Sequence, residues 1–100
     1  MIHVIAIITA KAGQRAAVLE LFKANVPAVL AEAGCIEYGA TVDVEDMGTA
    51  HYGPDTFVVV EKWESPDHLK AHAVAPHMKA YSAKTKDMLA GRVIHVLKPA

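Results

Sequence analysis

The sequence predicts an α+β fold, in which helices cover one face of a four-stranded antiparallel sheet. Short β-branched runs and segments of helical periodicity follow one another in the order β–α–β–β–α–β. Glycines and prolines separate these segments. Because 53% of the 100 residues are hydrophobic, the chain can bury a modest core. We therefore expect one globular domain over residues 1–100.

The first half of the chain predicts a strand, a helix and a second strand. Residues 2–8, IHVIAII, are a short β-branched run typical of a strand. Apolar residues at helical spacing predict a helix from Gln14 to Ala33, which Pro27 should kink or interrupt and Gly34 should end. Residues 35–44 alternate as a second strand does. One face of that strand carries Ile36, Tyr38, Ala40, Val42 and Val44.

The second half begins with a turn-rich loop and a third strand. Residues 45–55 are rich in turn formers, and residues 56–64, TFVVVEKWE, predict strand three. Ser65 and Pro66 are a good N-cap and first helical residue. The helix that they begin should end before Pro76, since the residue before a proline avoids helical geometry.

Pro76 should begin another helical segment that runs to about Leu89 and is ended by Gly91. Residues 92–98, RVIHVLK, predict strand four. The complete order is that of the ferredoxin-like pattern, with both helical segments on one face of the sheet.

The strands are apolar on both faces, which helices on one side cannot cover. Strands one, three and four carry hydrophobic residues at successive positions instead of alternating with polar ones. We therefore expect a homodimer in which a second copy covers the free sheet face. On strand one Ile2, Val4 and Ile8 oppose Ile5 and Ile7. On strand three Val58 and Val60 oppose Phe57 and Val59, and on strand four Ile94 and Val96 oppose Val93 and Leu97. Lys62 and Glu64 are expected at the rim of the interface.

Composition argues against several classes of partner. The formal net charge is −1, so we expect neither a nucleic-acid footprint nor a basic patch for anionic lipid. The sequence has no apolar run near the ~20 residues of a membrane helix and no basic start typical of a signal peptide. Cys35 is the one cysteine, which rules out an internal disulfide and indicates a cytoplasmic protein.

The stretch HLKAHAVAPHMKAY, residues 68–81, raises the question of a metal site. His68 and His72 have the four-residue spacing of helical metal ligands, and His77 lies just beyond the proline. However, the HxxxH pattern lacks the glutamate of HExxH. The nearest carboxylate, Asp67, is adjacent to His68. We therefore expect no metal.

The same stretch also suits acid–base chemistry. His68 is expected at the surface or in a structural hydrogen bond. His72 and His77 bracket the helix break at Pro76, and histidine is the side chain whose unperturbed form exchanges protons near neutral pH. A solvated or structural role for these two remains an equal alternative. Tyr81 either donates a hydrogen bond to a substrate oxygen or packs with its hydroxyl at the surface.

Strand three carries one charged residue on an apolar face. Glu61 shares that face with Phe57 and Trp63 and needs a partner if it is buried. His72, Arg92 or solvent at a sheet end are the alternatives. Trp63 itself is a core residue or an aromatic platform. No GxGxxG, P-loop, GxSxG or CxxC motif is present, so any chemistry must use a small pocket and few groups.

Four stretches carry a resemblance to a known family. They are AEAGCIEYGATVD (31–43), GPD (53–55), VVVEKWESPDHLKAH (58–72) and PHMKAYSAKTKDML (76–89). With them the chain resembles the antibiotic biosynthesis monooxygenase domain, and within that superfamily it is similar to the small bacterial quinol monooxygenases. The resemblance implies a dimeric α+β barrel that oxygenates an electron-rich aromatic, such as a quinol or anthrone, with O2 and without flavin, metal or haem.

On this resemblance, His72 or His77 is the candidate base. Tyr38 and Tyr81 are candidate hydrogen-bond donors to oxygen atoms, and Trp63 is a candidate aromatic wall. The reduced aromatic supplies the electrons, so the protein need only deprotonate it and hold the anion in an apolar pocket. That pocket should lie between the sheet and the helices of each subunit.

Departures from the family pattern reduce the range of substrates that the resemblance implies. Haem-degrading relatives use an aromatic–histidine pair on the second helix and an asparagine on strand one. At the corresponding places this chain has His72, Ser82 and no strand-one asparagine, so the resemblance does not favour haem degradation. Anthrone oxygenases use an asparagine near the strand-three tryptophan, where Lys62 and Glu64 stand here. Two alternatives remain open: an isomerase of a small phosphorylated sugar or keto compound, and a non-catalytic dimer that binds a small molecule.

Overall fold

The computed structural model describes all residues 1–100 and has the ferredoxin-like element order that the sequence predicts. None of its helices has the length and apolar character needed to cross a membrane. The elements are β1 (Ile2–Ala10), α1 (Arg15–Leu30), β2 (Cys35–Thr41), β3 (Thr56–Trp63), α2 (Pro66–Ala73), α3 (Pro76–Thr85), a short 3-10 turn (Lys86–Met88) and β4 (Leu89–Leu97).

The four strands form one antiparallel sheet in the order β2-β3-β1-β4. Strand β1 is therefore central, and β4 is an edge strand. Val4 lies opposite Glu61 on β3 and Val96 on β4. Because residues directly opposite one another share a sheet face, this register assigns every strand residue to one of two faces.

The helix face is the side on which α1, α2 and α3 pack, and it holds the core. Its β1 residues Val4 and Ala6 are buried, as are Phe57 and Trp63 on β3. Helix α1 adds three buried side chains at helical spacing, Val18, Phe22 and Val29. The open face is the opposite side of the sheet. It carries Ile5, Ile7, Val58, Val60, Val93 and Leu97.

Four element boundaries in the first half differ from those predicted. Strand β1 continues to Ala10, two residues past the predicted end, and α1 begins at Arg15 instead of Gln14. Helix α1 ends at Leu30 instead of Ala33, and Pro27 does not interrupt it. The turn beyond the proline still closes, because the Ala31 amide donates to the Pro27 carbonyl at 3.2 Å. Strand β2 ends at Thr41, three residues before Val44, because its pairing with β3 stops at Thr41 opposite Val58. Ile36 is 50% exposed at a β-bulge and does not share the buried side of Tyr38.

The end of α3 also differs from the prediction. The helix stops at Thr85, whose hydroxyl donates to the Tyr81 carbonyl at 3.0 Å, and a 3-10 turn follows. The prediction that Gly91 ends this helix is wrong, because Gly91 lies inside β4 opposite Thr9. Pairing with β1 therefore begins at Leu89, three residues before the predicted strand start.

Candidate active site

A cavity of about 610 Å³ lies between the helix face of the sheet and helices α2 and α3. This volume is within the range of small-molecule sites, about 300–1,000 Å³. Its floor is apolar and comes from Val4, Ala6 and Ile8 of β1. Ile94 of β4 also lines it, yet is 50% exposed. The cavity therefore opens to solvent beside the edge strand β4.

His72, near the end of α2, is the one histidine that lines this cavity. Its side chain is only 7% exposed, and its Nδ1 lies 2.8 Å from Oε2 of Glu32. An ionised carboxylate only accepts hydrogen bonds, so Nδ1 carries the proton and donates. In the neutral imidazole, the second ring nitrogen, Nε2, is then the unprotonated one. This is the arrangement that a general base requires.

Glu32 reaches His72 because of the turn between α1 and β2. The Glu32 amide donates to the Val29 carbonyl at 3.0 Å, which holds the residue just past the end of α1. Gly34 follows with φ +80°, a conformation that glycine adopts without steric cost. A Cβ at Gly34 would overlap the ring of His68. This close approach brings the turn against the start of α2.

His68 has a structural part in this contact. Its Nδ1 lies 2.7 Å from the Ser65 hydroxyl, and the same hydroxyl accepts a hydrogen bond from the His68 amide at 3.3 Å. Ser65 is therefore the N-cap of α2, as predicted. His68 is half-buried and structurally bonded, while His72, one helical turn later, faces the cavity.

His77 lies at the start of α3 and binds the same carboxylate from another side. Its Nε2 is 2.8 Å from Glu32 Oε2, and its side chain is 28% exposed. It does not line the main cavity; it lines a separate cleft of about 240 Å³ between α1 and α3. The three ligand-type atoms of Glu32, His72 and His77 lie within 4.8 Å of one another. Such a set is able to hold a metal ion as well as to share protons.

Two tyrosines line the cavity, and both stay protonated. Tyr38 of β2 has its ring centroid 5.5 Å from that of His72. Burial, with the nearby Glu61 charge, raises the pKa of Tyr38 above its ordinary value. Burial also raises the pKa of Tyr81 on α3 to about 12. Both phenols are therefore hydrogen-bond donors throughout the neutral range.

Glu61 is buried at the cavity wall and takes its hydrogen bond from Trp63. Its Oε1 accepts from the indole Nε1 at 2.9 Å, so neither His72 nor Arg92 is the hydrogen-bonding partner. Burial raises the pKa of Glu61, while the Trp63 hydrogen bond and the His72 charge oppose that rise. Trp63 is fully buried and lies behind the wall, with its ring centroid 4.7 Å from that of His72.

Comparison with known proteins agrees with this fold. The profile of the antibiotic biosynthesis monooxygenase family matches residues 1–84. The chain belongs to this family. It is 43% identical over 102 aligned residues to an Escherichia coli K12 protein named "Probable quinol monooxygenase YgiN", covering 99% of this chain and 98% of that protein.

Solved structures share the fold of this chain over nearly its full length. A crystal structure from Pseudomonas aeruginosa is 27% identical with a TM-score of 0.82, over 99% of this chain and 93% of that one. A conserved protein from Methanosarcina mazei has a TM-score of 0.85 at 23% identity, over 99% and 92% of the two chains. The second likeness concerns the fold alone.

The structure of this family member brings together only part of the predicted site. His72, Tyr38 and Tyr81 line the cavity, whereas Trp63 lies behind it and His77 outside it. Glu32 is the group that the sequence did not reveal. It lies 40 residues before His72 in the chain, and a search for carboxylates next to the histidine stretch finds only Asp67. The one local signal was Gly34, which marks a tight turn beside Glu32.

Proposed function

We propose that the protein is a cofactor-independent monooxygenase that oxidises a quinol-like aromatic with O2. The observation that carries this proposal is the 2.8 Å hydrogen bond between His72 Nδ1 and Glu32 Oε2. This bond orients His72 at the cavity wall, where it is able to act as a base. The family membership and the quinol monooxygenase name of the Escherichia coli relative support the same reaction class.

His72 is the proposed base, and Glu32 is its positioning residue. A quinol hydroxyl placed in the cavity gives its proton to His72 Nε2, and the imidazolium that forms is stabilised by the Glu32 carboxylate. The resulting anion is electron-rich and lies in a mostly apolar cavity. His77 shares the carboxylate from outside the cavity, which supports a part in fixing Glu32 or in passing the proton onward.

The electrons of the reaction come from the substrate. One atom of O2 enters the ring, and the other leaves as water together with two hydrogen atoms of the quinol. The quinol thereby becomes a hydroxyquinone; it loses four electrons in all, and O2 gains four. Tyr38 and Tyr81 are the proposed donors to the oxygen atoms on which negative charge develops, because both phenols remain protonated.

We also propose that the active form is a homodimer that buries the open face of the sheet. On this face Val93 is 53% and Leu97 50% exposed. Val93 lies opposite Ile7, while His95 lies opposite Ile5 and Leu97 opposite His3. A largely apolar surface of this kind is typical of a protein interface. The single cysteine, Cys35, supports a cytoplasmic location in the same proposal.

Oxygen uptake tests the reaction directly. Reduced benzoquinols and naphthoquinols are supplied to the protein in an oxygen electrode, with and without a metal chelator. We expect uptake above the rate of spontaneous oxidation, unchanged by the chelator. A panel without uptake above background would overturn the proposal. Rearrangement of a sugar phosphate or keto compound without oxygen, followed by NMR, would favour the isomerase alternative.

A further inference from the structure

Three cationic side chains line the cavity, and none of them has a carboxylate partner. Lys79 belongs to α3, Lys86 to the 3-10 turn and Arg92 to β4. The ion pairs of the structure are those of Lys62 with Glu37 and of the two histidines with Glu32. All three cations are exposed and lie around a mostly apolar cavity. Cations grouped in this way favour an anionic ligand.

The sheet register locates these cations relative to the proposed base. Arg92 lies opposite Ile8 of β1, whereas Glu61 lies opposite Val4. The backbones of Arg92 and Glu61 are four residues apart along the strand direction, which is about 13 Å. They are also two strand spacings apart across the sheet, which is about 10 Å. The cavity therefore has two chemically different ends.

Lys86 lies at the same end as Arg92. The 3-10 turn that carries it is joined to the end of β1, since the Lys11 amide donates to the Met88 carbonyl at 2.8 Å. Arg92 and Lys86 thus approach the cavity from the sheet and from the helical layer. The guanidinium fork suits a carboxylate or phosphate, and the ammonium adds a point charge beside it.

We propose that the substrate carries an anionic substituent, which Arg92 and Lys86 bind while its aromatic ring lies beside His72. The identity of the reacting ring rests on the proposed function; the recognition of the anion does not. Glu61 at the opposite end disfavours a permanently charged substituent there, because a second negative charge beside a buried carboxylate is repelled. The transient quinol anion of the proposed reaction forms together with the positive charge of the His72 imidazolium. The two ends together orient the substrate with its ring toward the base.

Binding of probes that undergo no quinol oxidation tests the inference separately from catalysis. The probes are naphthylbutyrate, its methyl ester and the corresponding naphthylalkyl phosphonate, titrated into the intact protein by calorimetry. The carboxylate or the phosphonate should bind at least about tenfold more tightly than the neutral ester, as expected for a charge-assisted hydrogen bond. The anion that loses more affinity in the Arg92→Gln variant shows whether the substituent is a carboxylate or a phosphate-like group.

Matched variants assign the effect to this end of the cavity. Arg92→Gln and Lys86→Gln should each remove most of the preference for the anion and leave ester binding unchanged. Lys84→Gln is the control, because Lys84 is an exposed lysine of α3 that lines the separate cleft beside His77. Equal affinity of ester and anions for the unaltered protein would overturn the inference, as would the same loss in all three variants. Anion preference without oxygen uptake would instead contradict only the proposed function.

Discussion

The helix face and the open face of the sheet are both mainly apolar, but only the helix face encloses a buried carboxylate and a buried imidazole. On the helix face, Glu61 and His72 are each only 6% exposed and lie among hydrophobic side chains. On the open face, the charged residues Glu37 and Lys62 pair with each other at 3.2 Å near the end of the strands, and each is at least 38% exposed.

This difference separates two uses of apolar surface. Burying a charged or polar group has a large desolvation cost, so a protein keeps such groups inside only where their partners and neighbours are arranged around them. The helix face has that arrangement, with a cavity beside it. The open face has apolar side chains and peripheral charges, which suits contact with another protein surface.

The largest effect is expected on the helix face, from removal of the base. His72→Ala should reduce kcat/KM for quinol oxidation by about a thousandfold, which is within the usual range for a general base. The measurement is the initial rate of oxygen uptake. His51→Ala is the control, since His51 lies in an exposed loop. Equal rates for the two variants would show that His72 is not the base.

The next effect belongs to the open face. Val93→Lys places a charge within the proposed interface, and we expect the dimer dissociation constant to rise by about a hundredfold. Sedimentation over a range of concentrations measures it. Val44→Lys is the control, because Val44 is 67% exposed and lies beyond the sheet. If the parent protein is already a monomer at micromolar concentration, the open face is not a homodimer interface.

Glu32→Gln should have a smaller effect that separates positioning from binding. The amide NH2 of glutamine can donate to His72 Nδ1, which moves the imidazole proton to Nε2 and removes the base. We expect kcat to fall about tenfold to a hundredfold with little change in KM. Glu20→Gln, an exposed change on α1, should leave both constants unaltered. A rise in KM alone would indicate that Glu32 serves substrate binding.

The smallest effect concerns the pH dependence of stability. Burial raises the pKa of Glu61, so its contribution to stability is complete below the unfolded-state pKa of about 4.3 and is lost as pH rises through the native pKa. Glu61→Gln keeps an acceptor for Trp63 without ionising. At pH values above the native pKa of Glu61, the variant should be more stable than the parent protein in urea titrations. The exposed change Glu45→Gln should show no such gain, and parallel curves for parent and Glu61→Gln would contradict the assignment.

Local patterns were sufficient for the fold but not for the site. The strands and helices follow from hydrophobic periodicity and from the Ser65-Pro66 and Pro76 signals, which act within a few residues. The end of α3 was misplaced because pairing of Leu89 with Ala10, a contact distant in sequence, decides where β4 begins. Glu32 was missed for the same reason, since only the folded chain joins it to His72.

The histidine stretch shows how far its own sequence can determine chemistry. His72 and His77 bracket the break at Pro76, and both bind one Glu32 oxygen. Only the packing of α2 against β3 and of α3 against α1 decides that His72 lines the larger cavity and His77 the smaller cleft. Sequence spacing contains no information on that choice.

Isotope labelling tests the central claim most directly. A reduced quinol is oxidised by the protein under ¹⁸O2, and the product is analysed by mass spectrometry beside the His72→Ala variant and a protein-free control. We predict that one labelled oxygen atom enters each product molecule, that a chelator does not prevent this, and that the variant loses it. Product that contains only oxygen from water or from the substrate, at the rate of the protein-free control, would contradict the monooxygenase assignment.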